Sequence, residues 1–97
     1  MNFNLDYRGF EENLFSKTGR PVGVWYEFRF DNRFGASIIK HRHSYGFEKD
    51  LWELAVLQNV PDTNDWLLTF DTPITNDVVG WCTDEQIREL LKMIKEL

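Results

Sequence analysis

The run Val22–Phe30, VGVWYEFRF, followed by Asp31-Asn32-Arg33 and then Phe34–His43, FGASIIKHRH, decides the fold class of this chain. In the first segment Val24, Tyr26, Phe28 and Phe30 alternate with Trp25, Glu27 and Arg29, the period of a half-buried strand. Asp31-Asn32-Arg33 supplies a turn, with Asn32 the residue best able to take a left-handed conformation. The second segment reads as the returning strand and ends at the breaker Ser44-Tyr45-Gly46. Two strands joined by a short turn form an antiparallel hairpin, and the flanking segments must pack around it.

Working outward, Leu51–Gln58 (LWELAVLQ) reads as a third strand. Its Glu, Leu and Ala also suit a helix, but it is short and lies between turn signals. Asn59–Asp65 is rich in turn formers, Trp66–Phe70 pairs back as a fourth strand, and Asp71–Gly80 reads as an ordered crossing loop. Thr83 then precedes Asp84, Glu85 and Gln86 in a capping-box pattern. Ile87, Leu90, Leu91, Ile94 and Leu97 follow at helical spacing, with acidic residues leading and lysines trailing, so a helix is predicted over residues 84 to 96. Glu11–Lys17 reads either as a short edge strand, joined to the next through Lys17-Thr18-Gly19-Arg20, or as a helical turn. The expected architecture is α+β: an antiparallel four- to five-stranded sheet with a C-terminal helix packed on one face. It forms one domain over residues 1–97, with a β-meander over 21–70 after an N-terminal segment of 1–20. The other sheet face stays open unless that segment, or a partner, covers it.

Composition agrees. At 97 residues the chain is near the lower end of what buries a self-sufficient core, but 42% hydrophobic and 15% aromatic residues supply one. The single cysteine, Cys82, rules out an intramolecular disulfide and a Cys-based zinc cluster, and reads as a small buried apolar residue. The start MNFNLDYRGF lacks the basic-then-apolar pattern of a signal peptide, and no apolar stretch approaches membrane-spanning length. The expected setting is a reducing cytoplasm.

Catalytic parts are hard to assemble. His41 and His43 lie two apart on a strand reading, so their rings would share a face, and Asp31 could join them around a metal. No third ligand has a diagnostic spacing, however, and two surface histidines explain the pair as well. The glycines are scattered, which excludes a phosphate-binding loop, and no nucleophile elbow is present. Glu48 and Glu53 could be paired for acid–base work, but sixteen acidic residues make any such pairing uninformative. Neither catalytic residues nor a cofactor or metal are assigned, and binding is the expected mode of action.

Charge says more. The net charge of −5 argues against sequence-independent binding to nucleic acid and suits approach to a basic partner surface. Arg29, Arg33, Lys40, His41, Arg42 and His43 gather on the first hairpin, whereas Lys49 is the sole basic residue from Glu48 to Glu85. The folded surface should therefore be a dipole with two docking patches. Candidate contacts are Glu53, Asp62, Asp65, Asp71 and Asp77 on the acidic face, and Trp25, Arg29, Arg33, Lys40 and Arg42 on the basic, aromatic hairpin. Trp52, Trp66 and Trp81 read as core, and Trp25, sharing a face with Glu27 and Arg29, as the exposed ring.

The strings FDNRFGASIIKHRHSYGFEKDLWELAVL at 30 to 57 and FDTPITNDVVGWCTDEQIRELLKMI at 70 to 94 resemble a family of small uncharacterised proteins encoded in bacteriophages and prophages. The family pattern is roughly an aromatic and Asn-Gly turn, a Gly-Ala-Ser-hydrophobic strand, Tyr-Gly, Leu-Trp-Glu-Leu-Ala-Val-Leu, then Asp-Thr-Pro-Ile-Thr. The matching positions include Gly35, Tyr45, Gly46, Trp52, Glu53, Asp71 and Pro73. The chain departs at Arg33, where the family commonly has the turn glycine, leaving Asn32 to carry the turn. The resemblance implies a phage origin and an intracellular life in an infected bacterium; it brings no activity or catalytic residue.

Small acidic phage domains without catalytic parts are often inhibitors of host machinery. The leading expectation is an anti-CRISPR-like inhibitor of a nuclease effector, acting by stoichiometric protein binding with its acidic loops in a basic nucleic-acid channel. The alternatives are a small accessory protein that binds single-stranded nucleic acid through the basic hairpin, and a structural or housekeeping phage protein that self-associates as a homodimer through the open sheet face.

Overall fold

The alternating apolar residues of the central hairpin build a single antiparallel sheet, seen in a computed structural model that describes residues 1–97. The elements run β1 (Leu14–Arg20), β2 (Gly23–Arg29), β3 (Phe34–His41), β4 (Trp52–Asn59), β5 (Trp66–Leu68), β6 (Val79–Cys82) and α1 (Asp84–Lys95), with 3-10 turns at Glu11–Asn13 and Phe47–Lys49. Strand order is β1-β2-β3-β4-β5, and β6 also pairs with β4. The outer edge of β4 is thus divided. Its first residues, Trp52 and Leu54, take β6, and its last, Leu57 to Asn59, take β5.

Registers such as Tyr26↔Ile38↔Leu54 and Phe28↔Ala36↔Val56 align one apolar row after another on the same face. Ile87, Leu91 and Ile94 of α1 close over that face, and all these side chains are buried. Each large one contributes about 1.5–3 kcal/mol. The helix starts as its sequence requires. The Thr83 hydroxyl accepts from the Gln86 N–H at 3.1 Å, and the Gln86 side chain accepts from the Thr83 N–H at 2.8 Å.

The N-terminal segment covers the helix-bearing face. Leu5 is buried, and the Tyr26 hydroxyl accepts from its N–H at 3.1 Å while donating to the Phe3 carbonyl at 3.1 Å. Tyr7 packs on Tyr26 and edge-on against Phe28, and Phe10 packs edge-on against Phe30. The opposite face of the sheet is left without a covering element.

Several boundaries differ from the expectation. Residues 11–17 are both a 3-10 turn and a strand, and Lys17-Thr18-Gly19-Arg20 lies inside β1. The reversal falls instead at Pro21-Val22, where proline's fixed φ and missing N–H suit a turn. The crossing loop ends early, because Val79–Cys82 pairs with β4 as β6. The meander therefore extends beyond residues 21–70 at both ends.

The β2–β3 turn also works differently. The Arg33 N–H donates to the Phe30 carbonyl at 3.2 Å, and Arg33 takes the left-handed conformation with φ of 70°. The Asn32 side chain bridges the turn and the helix end: its Oδ1 accepts from the Phe34 N–H at 3.0 Å, and its N–H donates to the carbonyls of Ile94 at 2.8 Å and Lys95 at 3.1 Å. A left-handed arginine is unfavourable because its Cβ crowds the following carbonyl. Arg33→Gly should raise stability by about 1 kcal/mol, read as a higher urea midpoint at unchanged slope. A midpoint that falls would show that the arginine side chain makes a compensating contact.

Candidate functional site

In a meander, sequence order becomes spatial order, so charge segregated along the chain is segregated across the sheet. Residues 14–43, which supply β1 to β3, carry six Lys or Arg against two Asp or Glu. Residues 44–86, which supply β4 to β6, carry nine acidic residues against one basic. The β1 edge is accordingly electropositive, and the edge formed by β5 and β6 electronegative.

The basic side is not a continuous patch. Lys40 is 1% exposed on the core face, with its ammonium 2.8 Å from the Asp50 carboxylate, 2.6 Å from the Asn2 carbonyl and 4.2 Å from the centre of the Trp52 ring. It is a structural tether rather than a surface contact. Charge alone suggests a surface contact, but Lys40 pairs with Val24 in register and falls on the core face. Arg33 and Arg42 stand beyond opposite ends of the eight-residue β3, nine steps and thus about 30 Å apart at ~3.3 Å per residue.

Arg29 lies on the open face, bonded to Glu27 at 2.6 Å, its guanidinium 3.4 Å from the Phe15 ring centre and 4.9 Å from that of Trp66. Trp25 is half-buried on the same face. Its indole N–H donates to the Ser37 hydroxyl at 2.9 Å, and the Arg20 guanidinium sits 5.1 Å from its ring. These cation–π contacts cover part of the apolar surface that the sheet would otherwise show to water. Trp25 is therefore not the exposed tryptophan.

His41 is the last residue of β3, and His43 lies in the turn beyond it. The His41 Nδ1 accepts from the His43 N–H at 3.3 Å, which engages one of the ring's two nitrogens. No group of three His, Cys, Asp or Glu side chains converges anywhere in the chain, and Asp31 lies at the far end of β3.

The acidic candidates fall into three places. Glu53 accepts from the Tyr45 N–H at 2.9 Å and so holds the loop after β3. Asp62 and Asp65 are exposed in the β4–β5 turn, and Asp71 and Asp77 are exposed between β5 and β6. None of these four aspartates is in an ion pair. Between the two sets, Leu67, Leu68 and Phe70 leave 46–61% of their surface in water. Successive residues of a strand point to opposite faces, so Leu67 and Leu68 carry the exposure around the edge of β5. Apolar exposure rimmed by charge marks a protein contact surface more often than a solvated face.

Opposite Glu53, strand β6 places two residues, Gly80 and Trp81, between the pairs Trp52↔Cys82 and Leu54↔Val79. This bulge turns Trp81 outward, with φ of 53° and 51% of its surface exposed. The neighbouring Tyr45, 56% exposed, stacks on it at 5.3 Å and 18°, and the Trp81 N–H donates to the Tyr45 carbonyl at 3.2 Å. Gly80 permits the close approach, since a Cβ there would stand 2.6 Å from that of Tyr45. A groove of about 480 Å3 opens between β6 and α1, walled by Trp81 and by Glu85, Gln86, Glu89 and Leu90 of the helix. The signal in the sequence is Gly80 within a short apolar run, which marks a bulge; Trp81 departs from the expected core position because that bulge turns it out. Trp52 alone of the four is fully buried.

Cys82 also borders this groove, yet its sulfur is buried and near the carbonyls of Val79 and Gly80 at 3.6 and 3.5 Å. Burial pushes its thiol up to about 11. At pH 8 the native thiol should react with a disulfide reagent at least about tenfold slower than in urea, because the thiolate fraction is suppressed and access is poor. Equal rates in the two states would contradict this.

No family model, curated protein or solved structure matches this chain. No helix is long and apolar enough to cross a membrane.

Proposed function

We propose that this protein is a phage-encoded, non-catalytic inhibitor that binds a host defence protein one to one, an anti-CRISPR-like blocker of a nuclease effector. The observation that supports this best is the β5 edge, where exposed Leu67, Leu68 and Phe70 are flanked by the unpaired Asp62, Asp65 and Asp71. Nuclease channels are lined with Lys and Arg to hold phosphates. An edge with carboxylates spaced around an apolar centre can occupy such a channel: the charges steer the encounter, and apolar burial lowers the off-rate. The site of action is then the cytoplasm of the infected cell. Single-strand binding has less support, because Lys40 is buried and Arg33 and Arg42 lie at opposite ends of β3.

Pull-down from host lysate tests the reading directly. The wild-type bait should recover a nuclease or another defence protein, and purified partner should lose its cleavage activity at equimolar inhibitor. The triple variant Asp62→Asn, Asp65→Asn, Asp71→Asn should weaken that inhibition by about tenfold or more, roughly half a kcal/mol per rim charge. Recovery of no such protein at micromolar bait, or inhibition untouched by the triple variant, would remove the basis for the proposal.

A further inference from the structure

The geometry points to the Trp81 groove as a specific site for one arginine side chain of a protein partner. It goes beyond the β5 edge and rests on the reading above only in that a protein is the partner. The wall of the groove offers an exposed indole, held at a fixed angle by the bulge and backed by Tyr45. The facing wall offers Glu85 and Glu89, one helical turn apart on the same side of α1. Both carboxylates are exposed, and neither takes part in an ion pair. Two like charges at this spacing repel each other, and a cation between them relieves that repulsion.

Guanidinium is the cation whose shape fits. It is planar, so it stacks on an indole as a flat group, and its N–H fork bonds carboxylates in its own plane. An ammonium could use the charges but not the flat surface. A phosphate or carboxylate ligand would meet two carboxylates and is excluded on charge. Leu90 and Val79 line the groove as well, and they provide an apolar bed for the aliphatic part of an arginine.

The test uses three otherwise identical Gly-Ser decapeptides with a single central arginine, lysine or citrulline, titrated into the full chain by calorimetry and tryptophan fluorescence. The arginine peptide should saturate, with citrulline weaker by at least about tenfold, because it keeps the shape and loses the charge. Lysine should be weaker by about threefold or more. Glu85→Gln/Glu89→Gln should cost about tenfold and abolish the preference over citrulline. Trp81→Asn should eliminate the fluorescence change while leaving the fold intact by circular dichroism, since asparagine tolerates the left-handed conformation. Equal binding of arginine and citrulline peptides, an equal response to lysine, or no saturation up to about 10 mM would each overturn the assignment. So would a sedimentation result in which the chain dimerises and Glu85→Gln/Glu89→Gln abolishes the dimer, since the occupant would then be a second copy. None of these measurements involves a nuclease, so failure here and failure of the pull-down remain distinct results.

Discussion

Asp84→Ala should destabilise the protein by about 3 kcal/mol, although Asp84 is a partly exposed carboxylate at the start of a helix. One carboxylate oxygen accepts from the indole N–H of the buried Trp52 at 2.6 Å, and the other accepts from the backbone N–H of Asp6 at 3.0 Å. Removing the first leaves a donor at the edge of the core without a partner, which costs about 1–3 kcal/mol. Losing the second removes one of the bonds that tie the N-terminal segment over the core beside α1. The missing charge in the first helical turn adds about 0.3–1 kcal/mol. Asp84→Asn keeps one acceptor oxygen and should cost less than half as much. Urea unfolding of the two variants measures both values, and a cost for alanine within ~0.5 kcal/mol of zero, the range of an ordinary surface change, would show that Trp52 finds another acceptor.

The second large effect is expected at the Lys40–Asp50 pair, and it should be asymmetric. Asp50→Asn strips the buried ammonium of its counter-charge and leaves it only neutral partners, an amide oxygen, the Asn2 carbonyl and the Trp52 ring, which should cost about 3 kcal/mol, the low end for an orphaned buried charge because Asp50 itself is half in water. Lys40→Met removes the ammonium but keeps an apolar stem over Trp52, and the Asp50 carboxylate can rehydrate. Its cost should be under half that of Asp50→Asn, and the double variant should resemble Lys40→Met alone. Comparable costs for the two single variants would mean that the ammonium is already hydrated.

Acid should reproduce part of this. The Asp50 carboxyl is held below its ordinary value of 3.8, first by the Lys40 side-chain hydrogen bond and then by the Asn2 backbone N–H. A lowered folded-state value means stability that is present above pH 3.8 and lost as pH falls through the folded-state value. The stability gap between wild type and Asp50→Asn should therefore be constant near neutral pH and narrow below pH 3.8. A gap that stays constant into acid would separate Asp50 from that loss.

These outcomes also mark what local sequence can report. The helix was legible because its start is a local device: Thr83 and Gln86 bond across three residues whatever the rest of the chain does. The central hairpin was legible because period-2 alternation directly states which residues share a face. Its turn was only half legible. Asn32 supports the turn through its side chain, which accepts from the Phe34 N–H, but that side chain also ties to carbonyls at the end of α1, over sixty residues away, and the left-handed conformation falls to Arg33. Composition named Cys82 as buried for the same local reason, a small weakly polar side chain in an apolar run.

By itself, then, the sequence determined an antiparallel sheet closed by a capped helix, together with a charge gradient that a meander must lay out from one sheet edge to the other. Tertiary structure alone decided which charged and aromatic residues reach water. Lys40 is inside because Asp50 and Asn2 come to its ammonium from outside the sheet, and Trp81 is outside because a bulge against β4 reverses its direction. Both outcomes depend on partners distant in the chain. Local propensity and alternation carry no information about those partners.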